Sequence, residues 1–93
     1  MDAMNFSEAL NAVKSGKRIA RSGWNGKGMF LYLNPASDVV VSEGRPMAAG
    51  IPVGTPVHCN PYIMMKTADA STTVVPWLAS QTDILADDWC VLV

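Results

Sequence analysis

Asn25-Gly26 lies between two strand-like runs, residues 17–21 and 29–33, and this arrangement constrains the fold more than any other feature of the chain. The dipeptide favours a type I′ turn, because both central residues must adopt positive φ and Asn and Gly do so at least cost. Residues 17–21 alternate charged and apolar side chains about Ile19, as a half-buried strand does, and residues 29–33 are apolar on both faces. The two runs are therefore predicted to pair antiparallel, as part of a sheet made of short, locally connected strands.

The flanking segments fill in the rest. Asn5 followed three residues later by Glu8 has the spacing of a capping box. Phe6, Ala9, Leu10 and Val13 recur at helical spacing and Gly16 is placed to end the run, which predicts a helix over about residues 6–15. Residues 34–61 hold five of the six prolines and three of the seven glycines, so "PVGTPVHCNP" is excluded from a central strand. Within that stretch "DVVV" at 38–41 predicts a short strand. A connection of this length in a small domain is usually functional, or docks on a neighbouring subunit. Residues 62–67 and 72–77 read as strands on either side of an "ADAST" turn. Ser80 and Asp83 repeat the capping-box spacing ahead of Ile84, Leu85 and Ala86, which predicts a helix of two turns or fewer, and residues 89–93 read as a last strand. The expected fold is α+β: an N-terminal helix packed on a mainly antiparallel β-sheet, with a short second helix near the C-terminus, all in one domain spanning residues 1–93.

Charge and composition narrow the function. The chain is 49% hydrophobic and only 16% charged, against about 25% charged in typical globular proteins. Surplus apolar surface on so small a domain points to a homo-oligomer. A net charge of −1 argues against a nucleic-acid partner, since that affinity rests on many lysine and arginine contacts to phosphate. No apolar run approaches 18 residues and no charged-then-apolar leader is present, so no membrane span is expected. Cys59 and Cys90 form neither a CxxC nor a disulfide framework, which suits a cytoplasmic protein with reduced thiols. The charges are unevenly placed: Lys14, Lys17, Arg18, Arg21 and Lys27 crowd the first third, while Asp69, Asp83, Asp87 and Asp88 dominate the last.

Few residues carry reactive chemistry. His58 and Cys59 are adjacent on an extended segment and point to opposite faces, so they do not form a nucleophile–base pair. Two cysteines and one histidine this far apart do not make a zinc site. Asp87 and Asp88 diverge in the same way, and read as a solvated helix end. The glycine-containing loop has neither P-loop nor dinucleotide-binding spacing. No enzymatic activity and no cofactor are expected. Trp24 is open to two readings. An indole beside Gly23 and Gly26 offers a flat face on which a nucleobase stacks. It could equally fold back over the sheet or be buried in the oligomer interface, although a turn side chain is expected to contribute little to the core. Capping explains Ser80 and Asp83 by itself. Where the cap also meets a ligand, the Asp83 carboxylate repels phosphate and accepts from ribose hydroxyls or an exocyclic amino group.

Taken together, "NFSEALNAVKSGKRIARSGWNGKGMFLYL", "MMKTAD" and "VVPWLASQTDILADDW" resemble the phage Thoeris anti-defence 2 family. The resemblance covers both ends of the chain, and the segment from residue 38 to 60 matches only in length and proline content. It implies a small α+β protein that assembles as a homotetramer in the cytoplasm of an infected bacterial host. It also implies a non-enzymatic function, the sequestering of cyclic nucleotide-type immune signals. These are glycocyclic ADP-ribose made by Thoeris and, in some relatives, cyclic dinucleotides of CBASS-type defence. The family's pattern places ligand-binding residues at Trp24, Asn25 and Gly26, at Thr67, Ala68 and Asp69, and at Trp77, Ser80, Gln81 and Asp83. Ala70 stands where relatives commonly carry glycine. The alternative is a small structural or interaction protein that acts on a protein partner through the Pro/Gly-rich central loop.

Overall fold

A computed structural model describes residues 3–24 and 28–93. Helix α1 spans Phe6–Lys14 and begins as its sequence predicts. Asn5 Oδ1 accepts from the Glu8 N–H at 2.9 Å, and Glu8 Oε1 accepts from the Asn5 N–H at 3.2 Å, so two otherwise orphaned donors are satisfied reciprocally. Gly16, at φ +96°, takes the left-handed conformation that ends the helix.

Five strands form the main sheet: β1 (Arg18–Arg21), β2 (Phe30–Asn34), β5 (Tyr62–Lys66), β6 (Val74–Pro76) and β7 (Trp89–Leu92). Their order is β6-β5-β2-β1-β7 and every neighbouring pair is antiparallel. Ile19 pairs with Leu31, which confirms the expected β1–β2 pairing. The turn at Asn25-Gly26 itself lies outside the described residues. The terminal strand takes the free edge of β1, and Met4 closes the far side of Trp89 by a two-bond bridge. Short helix α2, Gln81–Ile84, precedes β7.

The core lies on one face of this sheet. Ala9 and Val13 from α1 meet Ile19, Leu31 and Trp89, all fully buried. Trp89 is the largest of them, and Phe6, Trp24 and Trp77 surround its ring at 5.4, 5.4 and 6.1 Å between centroids. The buried indole N–H of Trp89 donates to the Asp83 carbonyl at 2.9 Å, so α2 is tied to the core through a satisfied polar contact. The opposite face carries Ala20, Tyr32, Met64, Cys90 and Leu92, as the strand pairings require. Among the described residues, no helix packs on that face.

The central segment departs from the expectation of a mostly irregular loop. Strands β3 (Ser37–Val40) and β4 (Pro56–Cys59) pair with each other in a separate two-stranded sheet, with a 3-10 helix at Pro46–Ala49 between them. Asn34 pairs with Tyr62 and, three residues on, Ser37 pairs with Cys59. The β2–β5 ladder therefore continues in register through the breaks at Pro35 and Pro61, and forms an arm that leaves the sheet. Proline interrupts the ladder because it has no N–H to donate, but it does not change the register. The sequence was right that no central strand passes here. It did not show that the two halves of the segment find each other.

Candidate functional site

Trp24, Trp77, Ser80 and Asp83 come from segments that are distant in sequence, and the fold brings them to one corner around Trp89. Three loops or loop ends build this corner. Trp24 follows the end of β1, Trp77 follows β6, and Ser80 caps α2.

Ser80 has extended backbone and its Oγ accepts from the Asp83 N–H at 3.0 Å. The capping box is only half made. The Asp83 carboxylate does not return to the Ser80 N–H; its Oδ2 instead accepts from Ser80 Oγ at 2.9 Å. Its Oδ1 accepts from Arg21 Nη1 at 2.8 Å and from Trp24 Nε1 at 3.4 Å. A carboxylate offers about four acceptor positions, so Asp83 retains room for one further donor. Burial by itself raises the Asp83 carboxyl, but the bonds from Arg21, Ser80 and Trp24 outweigh it and hold the group below its ordinary range.

Arg21 is the residue that sequence reasoning missed. It lies on the core face of β1, two residues beyond Ile19, with only 17% of its side chain exposed. Besides Asp83 it holds Asp88, whose Oδ1 accepts from Arg21 Nε at 2.8 Å. Asp88 Oδ2 accepts the Gly23 N–H at 2.8 Å, and its carbonyl accepts the Ser22 N–H at 3.0 Å. Asp88 is thus a structural clamp on the loop that carries Trp24, which corrects its assignment to a solvated helix end. The bond from Arg21 holds the Asp88 carboxyl low, and the two carboxylates raise Arg21 in turn. No local pattern announces this cluster, because Arg21 is 62 and 67 residues from its partners. The one available signal was an arginine at an inward-facing position of a predicted strand, since a buried cation requires a partner.

Of the readings open for Trp24, the structure shows the indole folded back on the core. It does not stand free on the turn: it is half-buried, its ring meets Trp89 edge-on with an interplanar angle of 79°, and its N–H is engaged by Asp83. Gly23 matters for a related reason. A Cβ there would sit 2.6 Å from Asp88 Oδ2. Gly23→Ala must push the carboxylate off the loop, at a cost of about 1–3 kcal/mol by the usual penalty for overpacking. Thermal unfolding checks it, and an unchanged melting temperature would mean that the Asp88 clamp is not in place.

The remaining candidates are less convergent. Thr67, Ala68 and Asp69 lie on the β5–β6 turn, at the same end of the sheet as the β1–β2 loop but separated from it by β2. The offset is roughly 10 Å at the usual strand spacing. Asp69 accepts from the hydroxyls of Thr67 and Ser71 at 2.6 and 2.7 Å, and these bonds, Thr67 first, hold its carboxyl low. Lys66 Nζ donates to the Thr67 and Asp69 carbonyls, so this turn is largely self-satisfied. Gln81 is exposed on α2. Asn25 and Gly26 lie outside the described residues. On the arm, His58 pairs across the strands with Asp38 at 2.8 Å, while Cys59 stays a free thiol.

The corner is an aromatic floor with a net-negative polar rim: one guanidinium against two carboxylates. It suits stacking of a flat ring and donation from a hydroxyl or amino group, and it disfavours a phosphate placed directly on Asp83. Among the described residues, no His, Cys, Asp and Glu side chains gather in a group of three or more that could hold a metal ion, and no helix is long and apolar enough to cross a membrane.

Comparison with known proteins identifies the family. Residues 4–92 match the family model for the Thoeris anti-defense 2-like domain. A protein of Bacillus phage SP01, "Thoeris anti-defense 2", is 44% identical over 89 residues, covering 96% of this chain and 94% of the relative. On a match that takes in α1, every strand and the whole aromatic corner, the chain belongs to the Thoeris anti-defense 2-like family.

Proposed function

We propose that this protein is a phage anti-defence sponge: it binds cyclic nucleotide-type immune signals and withholds them without degrading them. Family membership supports the coarse role of a phage anti-defence protein. The observation that carries the finer reading is the convergence of Trp24, Trp77, Ser80 and Asp83 from separate segments onto one half-buried corner. The ligand class is glycocyclic ADP-ribose, with CBASS cyclic dinucleotides as a second class. A base stacks at the tryptophans, and a ribose hydroxyl or amino group donates to the last acceptor position of Asp83. The diphosphate is held away from the two carboxylates.

A sponge needs a slow off-rate rather than a nucleophile, since affinity differences reside mostly in dissociation. Nanomolar retention requires about −12 kcal/mol, which stacking and charge-assisted hydrogen bonds in a preformed pocket can supply. No reaction step is assigned to the corner, whose carboxylates are held by Arg21 and whose hydroxyl is held by its own cap.

The working form is a homo-oligomer, a tetramer by family resemblance, in the cytoplasm of the infected cell. The uncovered sheet face around Tyr32 and Met64 supports assembly, as do Leu78 and Leu85, exposed to 91% and 76%. Light scattering on the protein with and without glycocyclic ADP-ribose tests both points together. The expected result is a mass several times 10.0 kDa with ligand co-eluting in near-stoichiometric amount. A monomer, or ligand that elutes freely, would count against the proposal.

A further inference from the structure

We infer that Asp88 is a positioning residue for signal binding: it presets the loop that carries Trp24, so that the corner has its binding shape before the ligand arrives. The inference rests on the binding proposed above, and concerns how the site is held rather than which signal fills it.

The Trp24 indole is only loosely fixed by its own contacts. Its N–H lies 3.4 Å from Asp83 Oδ1, longer than a usual N–H···O bond, and its ring meets Trp89 by an edge. The backbone just before it is held more firmly. The Gly23 N–H donates to Asp88 Oδ2 at 2.8 Å, a charge-assisted bond, and the Ser22 N–H donates to the Asp88 carbonyl at 3.0 Å. The partners of Asp88 are this backbone and Arg21, with no ring among them, whereas Asp83 meets the indole itself. Asp88 therefore acts through the loop and Asp83 acts at the site.

Arg21 then refers both walls of the corner to one rigid group. Its Nε holds Asp88 and its Nη1 holds Asp83, each at 2.8 Å, and a guanidinium keeps its donors in a fixed planar fork. The Trp24 loop on one side and the α2 cap on the other are thus set against each other by a single side chain. Without the Gly23 bond, the chain from the end of β1 at Arg21 to the start of β2 at Phe30 keeps only the weaker holds on Trp24. A loop that is in its binding geometry for part of the time lowers the apparent affinity by that fraction. For a protein that competes with an effector for free signal, the same fraction sets the rate of capture.

The test is stopped-flow binding of glycocyclic ADP-ribose to the full chain carrying Asp88→Ala, Asp88→Asn or Gly23→Ala, at a temperature where all are folded and have wild-type oligomer mass. Asp88→Ala removes the acceptor, and Gly23→Ala pushes it away, since a Cβ at residue 23 would sit 2.6 Å from Asp88 Oδ2. Each should slow association by about three- to tenfold, on the low side of what a bond to a charged group is worth because the Asp88 side chain is 30% exposed. The dissociation rate should stay the same, because bound ligand itself holds the loop. Asp88→Asn keeps an oxygen for the Gly23 N–H and should recover most of the association rate. The Asp88→Ala, Gly23→Ala double variant should be no slower than either single one, as both act on one contact. In the ligand-free protein the Gly23 amide should exchange with solvent faster in Asp88→Ala than in wild type or Asp88→Asn. A variant set that melts lower but associates at the wild-type rate overturns the positioning role and leaves Asp88 a stabilising residue alone. Faster dissociation with unchanged association, or an Asp88→Asn as slow as Asp88→Ala, overturns it as well. A wild type that binds no glycocyclic ADP-ribose overturns the proposed function first, and the positioning role with it.

Discussion

Trp24→Ala should lose both stability and ligand binding, and the two losses should be separable. Full truncation of a buried tryptophan costs about 3–5 kcal/mol; Trp24 is half-buried against Trp89, so about 2–4 kcal/mol is expected. Loss of a stacking face should weaken signal binding by about 1–3 kcal/mol, or roughly ten- to hundredfold in the dissociation constant. Trp24→Phe distinguishes the contributions, because it keeps an aromatic ring beside Trp89 while removing the N–H that reaches Asp83 and part of the indole's volume. That variant should recover most of the melting temperature and part of the affinity. Denaturation and calorimetric titration of both variants check this. If Trp24→Ala melts like wild type, the indole is not packed as described; if its affinity is also unchanged, Trp24 is not in the site.

Arg21→Met should cost about 2–3 kcal/mol at neutral pH. That lies between the value of an exposed ion pair, up to about 1 kcal/mol, and the loss of one partner from a buried pair, about 3–5 kcal/mol. Its pH dependence is more diagnostic than its size. Asp83 and Asp88 have folded pKa values below their unfolded ones. Their contribution is therefore fully present above the unfolded value, about 3.9, and is lost as pH falls through the folded values. Wild-type stability should hold from neutrality to about pH 4 and decline below it. In Arg21→Met the two carboxylates lose the cation that holds them low, and their folded values rise relative to wild type. The penalty is then greatest at neutral pH and shrinks on acidification. Melting curves taken from pH 7 down to about pH 2 should converge below about pH 4, as the wild-type carboxylates are protonated. A constant gap between variant and wild type would mean that Arg21 contributes by packing alone.

The parts of the structure that the sequence announced are those made by residues close together. Asn5 and Glu8 cap α1 across three residues, and Gly16 ends it, so helix and boundaries were legible. Alternation about Ile19 likewise located β1, and short apolar or β-rich runs located β2, β5, β6 and β7, with edges shifted by a residue or two. The same local reasoning at Ser80 was half right. It found the cap, but Asp83 turns its carboxylate to Arg21 and Trp24, because a half-buried guanidinium competes more strongly for it than a backbone N–H. The arm was illegible for a related reason. Prolines mark where a ladder loses a donor, whereas the common register of residues 34–40 and 56–62 is a property of two segments at once. Of the candidate site, the tryptophans, Ser80 and Asp83 were identified through the family pattern. Arg21 and Asp88, which position them, were legible only once the fold had joined β1 to β7.

Sequestration without turnover is tested most directly by loading the protein with glycocyclic ADP-ribose, removing free ligand, incubating for many hours and releasing the bound molecule by heat. The account predicts that the same cyclic molecule is recovered quantitatively and remains active on its effector. Recovery of linear ADP-ribose or nucleoside monophosphates would contradict it and make this protein an enzyme.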